Sequence, residues 1–413
     1  MTFDFTSIVD RHGKDSIAVD AFGRPGFGPT EEAKARNEEA KKRGEGFDLI
    51  PMWVADMNFA TCPAVVRSIR ERLDHPMFGY FAPRDEYYES IIRWQKERHG
   101  VQGLTKEDIG FENGVLGGVI SALKVIAEQG GKVLLHSPVY VGFTGVLKNN
   151  GYEAVHSPLV RDENGIWRMD FEDMEKKLSE GHIHAAIFCS PHNPCGRVWE
   201  KWEIERAMAL FEKYEVDVVS DEIWADIILE GHTHIPTQSV SAYARTHTVA
   251  EYAITKTFNL AGLTGSYHII YDPKLRDRVR KASSLTHYNS MHLFSMYALI
   301  GAYSEEGSRW TDELISVLSN NVRTACAYID GFDGVRVMPA EGTYMLYLDC
   351  TEFCQKYNIS MDELLQKGYD VYVAWQDGRP FFHPYAIRMN LALPESRIKQ
   401  AFERLSTFVF NHS

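Results

Sequence analysis

Cysteine is scarce in this 413-residue sequence, and its distribution argues against a disulfide framework or a cysteine-based metal site. The one close pair, Cys350 and Cys354, lacks the C-x-x-C spacing of redox and zinc motifs. We therefore interpret the cysteines as reduced thiols of a cytoplasmic protein. The six positions are scattered along the chain: Cys62, Cys189, Cys195, Cys326, Cys350 and Cys354.

Long hydrophobic runs and an excess of basic residues are also missing. No apolar stretch of about eighteen residues occurs, so no membrane span is predicted. The opening residues, MTFDFTSIVDRHGKDS, have neither the basic start nor the apolar centre of a secretory signal, which agrees with a cytoplasmic location. The formal net charge of −13 argues against nucleic acid as a partner.

Histidines occur in two close pairs, but neither pair predicts a metal site. His182 and His184, like His232 and His234, have no cysteine nearby and stand in loop-like sequence. We expect these histidines at the surface, and no metal is predicted.

The middle of the chain alternates apolar runs with amphipathic segments. The runs KVLLHSP (132–138), HAAIFCSP (184–191) and VDVVSDE (216–222) predict buried strands, and residues 200–215 show helical spacing of apolar residues. This alternation predicts an α/β fold with a mostly parallel central sheet covered by helices. Ligands bind such sheets beyond the carboxyl ends of the strands, where HSPVY, CSPHNPCG and SDEIW stand.

Three regions are predicted along the chain. Residues 1–60 form an N-terminal arm and part of a small domain, residues 61–290 a large α/β domain, and residues 291–413 a small C-terminal α+β domain. The charged segment Gly23–Gly46 looks like an insertion in which Thr30 N-caps a short helix. That helix is either a solvated surface helix or a lid over the site.

Lys256 stands alone in the stretch YAITKTFNLAGLTGSY, downstream of a predicted strand that ends at Asp221. A lysine is a useful covalent nucleophile only when its amine is partly neutral, which an apolar setting favours. Taken alone, Lys256 is better interpreted as a surface residue whose ammonium group extends into solvent. An aspartate at a strand end is, however, what pyridoxal 5′-phosphate needs beside its ring nitrogen, so the pair points to that cofactor.

Other residues fit the same cofactor. The amide of Asn193 can donate a hydrogen bond to the phenolic oxygen, and the ring of Tyr140 can lie flat on the pyridine. Gly114 precedes the helix-like stretch VLGGVISALKVIA, and free N–H groups at a helix start bind phosphate. Each signal is weak alone, and their ordered combination predicts a pyridoxal phosphate site.

The motifs SPHNPCGRVW, SDEIWADI, TKTFNLAGLTGSY and IRMNLALP, with IPMWVADMNFATCPAV ahead of them, resemble those of the class I/II aminotransferase superfamily. Within that superfamily the sequence is most similar to the cystathionine β-lyase, or C–S lyase, branch. The resemblance extends over nearly the whole chain. It implies a fold type I pyridoxal phosphate enzyme with a large domain and a smaller C-terminal domain.

The resemblance also implies a role for each matching residue. Lys256 would hold the cofactor covalently and move the proton at the substrate α-carbon. Arg388 would bind the α-carboxylate of an amino-acid substrate, with Asn193 and Trp53 beside it. The remaining cofactor contacts would come from Asp221, Asn193, Tyr140, Trp224, Thr255 and the backbone N–H groups of Val115 and Leu116.

Tyr80 in MFGYFAP matches a tyrosine that reaches the cofactor of the neighbouring subunit in this family. The match implies a homodimer with shared active sites and adds Tyr80 to the catalytic residues. Trp53 belongs either to the core or to the pocket wall. Members of this branch are thought to bind regulators, so a regulatory protein is a further candidate partner.

Three positions depart from the family's pattern. Ala253 stands where many relatives carry a phosphate-binding serine, and Thr255 would take part of that role. Trp224 stands where relatives often carry tyrosine or histidine, and an indole donates one hydrogen bond but accepts none. Asn58 replaces the usual aspartate. These changes surround the substrate pocket and leave the main cofactor contacts intact.

Two enzyme activities share all of these residues. A β-lyase would release a thiol, pyruvate and ammonia from cystathionine or related cysteine S-conjugates, whereas an aminotransferase would pass an amino group from an L-amino acid to a 2-oxo acid. The WVADM motif and the overall similarity favour the lyase. A non-catalytic scaffold is disfavoured by the intact set Lys256, Asp221, Asn193 and Arg388.

Overall fold

The structure is a computed structural model that describes residues 2–285 and 289–411. In chain order its α-helices, α1 to α16, span Ile17–Asp20, Glu31–Lys42, Pro63–Leu73, Asp85–His99, Val115–Ile126, Val141–Asn149, Phe171–Gly181, Lys201–Lys213, Ala242–His247, Ile254–Thr257, Pro273–Ser284, Leu293–Ala302, Glu305–Ile329, Thr351–Tyr357, Met361–Asp370 and Glu395–Phe408. Its strands, β1 to β14, span Ile50–Pro51, Ile109–Glu112, Lys132–Ser137, Glu153–Arg161, Trp167–Met169, Ala185–Cys189, Asp217–Asp221, Thr248–Tyr252, Ser266–Ile269, Arg336–Val337, Met345–Asp349, Val373–Ala374, Gln376–Asp377 and Ala386–Asn390.

Eight strands form one large sheet in the order β2-β9-β8-β7-β6-β3-β4-β5. The five strands from β8 to β4 in that order run parallel, and the pairs β8–β9, β9–β2 and β4–β5 are antiparallel. The three strands predicted from apolar runs are β3, β6 and β7, and their parallel pairing confirms the predicted α/β fold. Their carboxyl ends meet at one edge, where the candidate site lies.

Helices cover the sheet because their apolar faces and the strands' side chains are buried together. Every residue of β6 (Ala185–Cys189) is buried, as expected for a strand with both faces covered. Helix α8 (Lys201–Lys213), predicted at 200–215, buries Ile204, Ala207, Met208 and Phe211. At about 25 cal/mol per Å² of apolar surface, such faces supply much of the stabilising free energy.

The C-terminal part carries a four-stranded antiparallel sheet in the order β10-β11-β14-β13. The long helix α13 (Glu305–Ile329) and the closing helix α16 (Glu395–Phe408) pack together beside it. Strand β1 (Ile50–Pro51) pairs with β12 (Val373–Ala374), so the N-terminal arm joins this smaller unit. The predicted domain boundaries at residues 60 and 290 stay predictions.

The segment Gly23–Gly46 contains helix α2 (Glu31–Lys42), which begins as predicted. The Thr30 side chain accepts a hydrogen bond from the backbone N–H of Ala33 at 3.2 Å. The segment is fastened to α15 (Met361–Asp370), since the Thr30 N–H donates to Asp370 at 2.8 Å and Gln366 donates to the Gly28 carbonyl at 3.0 Å. These contacts support a surface helix, and a role as a lid stays a prediction.

Two further expectations concern cysteines and membranes. All six cysteines are free thiols, and five of them are buried. Within residues 2–285 and 289–411, no helix combines the length and the apolar composition needed to cross a bilayer.

Candidate active site

Three carboxylates, Asp221, Glu222 and Asp226, stand at or shortly after the end of β7 (Asp217–Asp221). Two of them are paired with neighbouring side chains. Glu222 accepts hydrogen bonds from Tyr252 at 2.7 Å and pairs with His234 at 2.8 Å. Asp226 pairs with His99 at 2.8 Å. The prediction that His234 lies at the surface is wrong, because Glu222 is fully buried and draws the imidazole inward.

Asp221 remains available to a ligand. It is 4% exposed and accepts a hydrogen bond from the backbone N–H of Ile223 at 3.0 Å. Burial raises the pKa of Asp221 to about 7, and the nearby charge of Lys256 opposes that rise. A cation placed against this carboxylate would stabilise its charged form.

Lys256 lies in the short helix α10 (Ile254–Thr257), directly after β8. Its Nζ donates a hydrogen bond to the carbonyl oxygen of Ala55 at 2.8 Å and lies 5.5 Å from the ring centre of Trp224. Burial lowers the pKa of Lys256 to about 8, helped by the positive charge of Arg388 and opposed by Asp56 and Asp221. A substantial neutral fraction of the amine near neutral pH is what covalent chemistry needs.

Arg388 lies on β14 (Ala386–Asn390), buried beside Lys256. Its Nη1 donates to Oδ1 of Asn193 at 3.0 Å, and its Nη2 donates to the carbonyl of Trp53 at 3.3 Å and to Gln376. The guanidinium stands over the ring of Phe381, 4.7 Å from its centre. Burial lowers the pKa of Arg388 to about 10. Among the described residues no carboxylate pairs with it, so it is available to a ligand's carboxylate.

The segment from Trp53 to Asn58 crosses the site and contacts both cationic side chains. The indole of Trp53 donates to the carbonyl of Ala18 at 3.0 Å and the side chain is half-buried, so its place in the pocket wall stays a prediction. The Tyr344 hydroxyl donates to the Ala55 carbonyl at 3.0 Å, sharing this acceptor with Lys256. Asn58 accepts a hydrogen bond from Arg11 at 3.0 Å, which anchors this end of the segment.

Helix α5 (Val115–Ile126) presents an uncapped N-terminus. Its N-cap, Gly114, has φ of +87° and supplies no side chain, so the first N–H groups, those of Val115 and Leu116 included, are free to bind an anion. The ring of Tyr140 lies against the backbone of Gly142, where an added methyl group would come within 2.3 Å of it. Tyr140 also lies close enough to Arg388 and Asp221 for their charges to act on its hydroxyl.

Most of the predicted site residues are thus brought together, and one is not. Asp221, Asn193, Tyr140, Lys256 and Arg388 share one site, with Trp224 near Lys256 and the backbone carbonyl of Trp53 against Arg388. Thr255 precedes Lys256 in α10 and is half-buried. Tyr80 is fully exposed and lies outside the site of its own chain.

Four contributors were missed by the sequence analysis. The carbonyl of Ala55 accepts a hydrogen bond from the lysine and another from the Tyr344 hydroxyl, and the side chains of Gln376 and Phe381 contact the arginine. A backbone acceptor leaves no mark in a sequence. The side chains come from strands and turns of the C-terminal part, with no motif around them to signal the contact.

Known proteins are similar to this chain over most of its length. A model of the family "Aminotransferase class I and II" matches residues 48–405. The chain is 36% identical to "Cystathionine beta-lyase PatB" of Bacillus subtilis over 330 residues, which cover 79% of this chain and 84% of that protein.

Two solved structures have the same fold over nearly the full length. The PLP-bound C–S lyase from Staphylococcus hominis has a TM-score of 0.85 and 28% identity, with all of both chains covered. Cystalysin from Treponema denticola, which contains a pyridoxal 5′-phosphate cofactor, has a TM-score of 0.86 and 29% identity, with 98% of both chains covered. The chain therefore belongs to the aminotransferase class I and II family.

Proposed function

We propose that this protein is a pyridoxal 5′-phosphate-dependent C–S β-lyase that cleaves L-cystathionine or related cysteine S-conjugates to a thiol, pyruvate and ammonia. The relatives support the lyase class, since the proteins named cystathionine β-lyase and C–S lyase match most or all of the chain. The observation that carries the proposal is that the half-buried Lys256, just after the parallel strand β8, lies near the buried Arg388 on β14. One side chain is suited to proton transfer and the other to an amino-acid carboxylate.

Three features of the chain fit pyridoxal phosphate. The carboxyl of Asp221 is buried with a raised pKa, which a protonated ring nitrogen would offset. The N-terminus of α5 has free N–H groups and no side-chain cap, which suits a phosphate. The amine of Lys256 has a lowered pKa, which suits covalent attachment. When bound, the cofactor supplies an electron-withdrawing ring that stabilises the charge left on the α-carbon after proton removal.

The chain's own residues then orient the substrate and move the proton. Arg388 binds the α-carboxylate with two donors and so fixes the rotation of the amino acid. Lys256, as a neutral amine, takes the α-proton, and its contact with the Ala55 carbonyl keeps the amine near that position. Loss of the proton and of the β-thiolate leaves 2-aminoacrylate, which water converts to pyruvate and ammonia.

The deciding experiment measures pyruvate release from L-cystathionine by the holoenzyme, with no 2-oxo acid added. Steady release, with one thiol formed per pyruvate, is the expected result. A suitable control is Lys274→Ala, which alters an exposed lysine and should keep the wild-type rate. Aminotransferase activity is the alternative outcome. If no pyruvate is released without a 2-oxo acid, and amino transfer begins once one is supplied, the lyase assignment is overturned.

The proposal includes a homodimer of this chain. Tyr80 is fully exposed, and Met77 and Phe78 beside it are also exposed, so this loop carries apolar surface that a second copy of the chain would cover. A homodimer with Tyr80 contributed to the partner's site agrees with that exposure. Cytoplasmic location and binding of a regulatory protein stay predictions.

A further inference from the structure

A second cluster of ionisable side chains lies in the large sheet, apart from the residues assigned above. Glu112 at the end of β2, His268 on β9 and Glu251 on β8 stand on three neighbouring strands, and all three are buried. His268 is the cross-strand partner of both Gly110 and Glu251, so its side chain and that of Glu251 share a face of the sheet. Candidate ligand atoms of the three side chains lie within 4.8 Å of one another.

Most polar side-chain atoms of this cluster have no hydrogen-bond partner among the described residues. Nδ1 of His268 and Oε1 of Glu112 are 2.8 Å apart, which is the cluster's one hydrogen bond among the described residues. Four other side-chain atoms are buried without a hydrogen bond: Oε2 of Glu112, both oxygens of Glu251 and Nε2 of His268. Buried polar atoms in proteins are nearly always satisfied, so four such atoms on three neighbouring side chains indicate a missing ligand.

The charge of the cluster identifies the kind of ligand. In the described ranges no lysine or arginine lies within ion-pair distance of Glu112 or Glu251, and Asp221 on the next strand is a further acid in register with Glu251. Two buried carboxylates without a cation are strongly unfavourable. A divalent ion would neutralise both, and an imidazole with two carboxylates is a donor set used for zinc and related transition metals.

Two glycines allow the neighbouring backbone to approach the cluster closely. A side chain at Gly118 on α5 would come within 2.4 Å of both oxygens of Glu251, so the helix can cover the carboxylate only because this position is glycine. Likewise, a side chain at Gly110 would overlap Nε2 of His268 at 2.2 Å. Gly110 and His268 also line a cleft of about 1050 Å³ in the single chain, together with Phe78 and Tyr80 of the loop that a second copy is proposed to cover.

We propose that Glu112, Glu251 and His268 form a binding site for one divalent transition-metal ion, such as Zn²⁺, between the sheet and α5. Donor atoms around a four-coordinate zinc ion lie roughly 3.3–3.5 Å apart, so small side-chain rotations bring the three donors into place, and water takes the fourth position. The ion ties β2, β9 and β8 together beneath α5, the helix whose N-terminus is proposed above to bind the cofactor phosphate. Its role is structural, and it takes no part in proton transfer.

The test is metal content of the purified holoenzyme after incubation with ZnCl2 and removal of loosely bound ions on a chelating resin. The expected result is about one zinc ion per subunit in the wild type and less than about a tenth of that in Glu251→Gln and His268→Gln. Matched controls are Glu153→Gln and His184→Gln, which make the same chemical changes at exposed positions and should keep the wild-type content.

A second measurement needs no variant. Zinc added to the chelator-treated wild-type holoenzyme should raise its thermal midpoint, because a ligand that binds the native state stabilises it. Failure of the wild type to retain zinc, or full zinc retention by Glu251→Gln, would overturn the proposal. In the first case the cluster instead holds a proton, as burial and the neighbouring Glu112 raise the pKa of Glu251 well above its ordinary value. Neither outcome depends on lyase activity, so the proposed function is tested separately.

Discussion

The guanidinium of Arg388 donates a hydrogen bond to the side-chain oxygen of Asn193 at 3.0 Å. An amide has one acceptor oxygen and one donor nitrogen, so this contact fixes which end of Asn193 faces which ligand. The oxygen is taken by the arginine, and the NH2 group is left to donate elsewhere. Asn193 therefore orients the substrate-binding Arg388 and also keeps an NH2 group to donate to the predicted phenolic oxygen of the cofactor.

Replacing Asn193 by aspartate should harm substrate binding more than replacing it by alanine. Asn193→Asp places a carboxylate against Arg388, where it competes with the α-carboxylate of the substrate through a charge-assisted contact. Asn193→Ala removes the contact without supplying a competitor. We expect KM for cystathionine to be at least about tenfold higher in the aspartate variant than in the alanine variant. Steady-state kinetics of both variants measure this, and equal KM values would contradict it.

Loss of the Arg388 side chain should lower kcat/KM sharply. Arg388→Ala removes a buried two-donor contact to a carboxylate, which is worth roughly 2–5 kcal/mol, a fall of about 30-fold to several-thousand-fold. Arg388→Lys keeps the charge but lacks the planar fork, and should recover part of the loss. The cofactor content of both variants, read from visible absorbance, should stay at the wild-type level. An unchanged kcat/KM in Arg388→Ala would remove this residue from the substrate site.

Lys256→Ala should abolish turnover and the visible absorbance of covalently held cofactor together. Both depend on the same amine, because the alanine offers neither a nucleophile nor a base. The measurement is an absorbance spectrum and a pyruvate assay on one preparation, with Lys274→Ala as the comparison. Normal turnover in Lys256→Ala would be incompatible with the mechanism proposed above.

Covalent capture of pyridoxal phosphate by the cofactor-free protein should speed up as pH rises through about 8. The pKa of Lys256 is lowered to about 8, and the neutral amine is the reactive form. At pH 7 about a tenth of the amines are then neutral, against about four in ten thousand for an unperturbed lysine. Asp56 stabilises the charged amine, so Asp56→Asn should move the midpoint of the rate profile to lower pH. Stopped-flow absorbance across pH 6–10 measures both midpoints.

Subunits that lack Tyr80 and subunits that lack Lys256 should complement each other. If Tyr80 acts in the partner's site, a mixed dimer of Tyr80→Ala and Lys256→Ala chains has one site with both residues and one with neither. Equal mixing should then restore up to about a quarter of wild-type activity, since half of the dimers are mixed and each has one working site. The control is the activity of each variant alone. No gain on mixing, with mixed dimers shown by mass spectrometry, would place Tyr80 outside the partner's site.

The fold was predictable from the sequence because apolar runs and turn residues act locally. The strands β3, β6 and β7 begin and end within two residues of the predicted limits, and α8 lies within its predicted stretch. A buried parallel strand and an amphipathic helix each leave a pattern that few alternatives share. The N-cap of α2 at Thr30 was predictable for the same local reason.

Contacts between distant segments were not predictable. His234 was expected at the surface because its neighbours are polar, but its position is decided by Glu222, twelve residues earlier and buried. The three acids after β7 look equivalent in the sequence, and only their partners separate Asp221 from Glu222 and Asp226. Glu112, Glu251 and His268 have no sequence spacing that would mark them as a group, because the strands that bring them together are joined by long connections.

The carbonyl contacts of the Trp53–Asn58 segment have a consequence for how such an enzyme changes over evolution. The segment and the C-terminal strands hold Arg388, whereas most of the proposed cofactor contacts come from the large sheet and α5. Asn193 and Ala55 belong to both groups, because Asn193 contacts Arg388 and the Ala55 carbonyl accepts from Lys256. Gln376 and Phe381 contact the arginine from the C-terminal part, so substitutions there can alter which amino acid fits with little effect on the proposed cofactor contacts, since sites without shared partners act nearly independently. Selectivity can therefore diversify at such positions while the reactive lysine is kept.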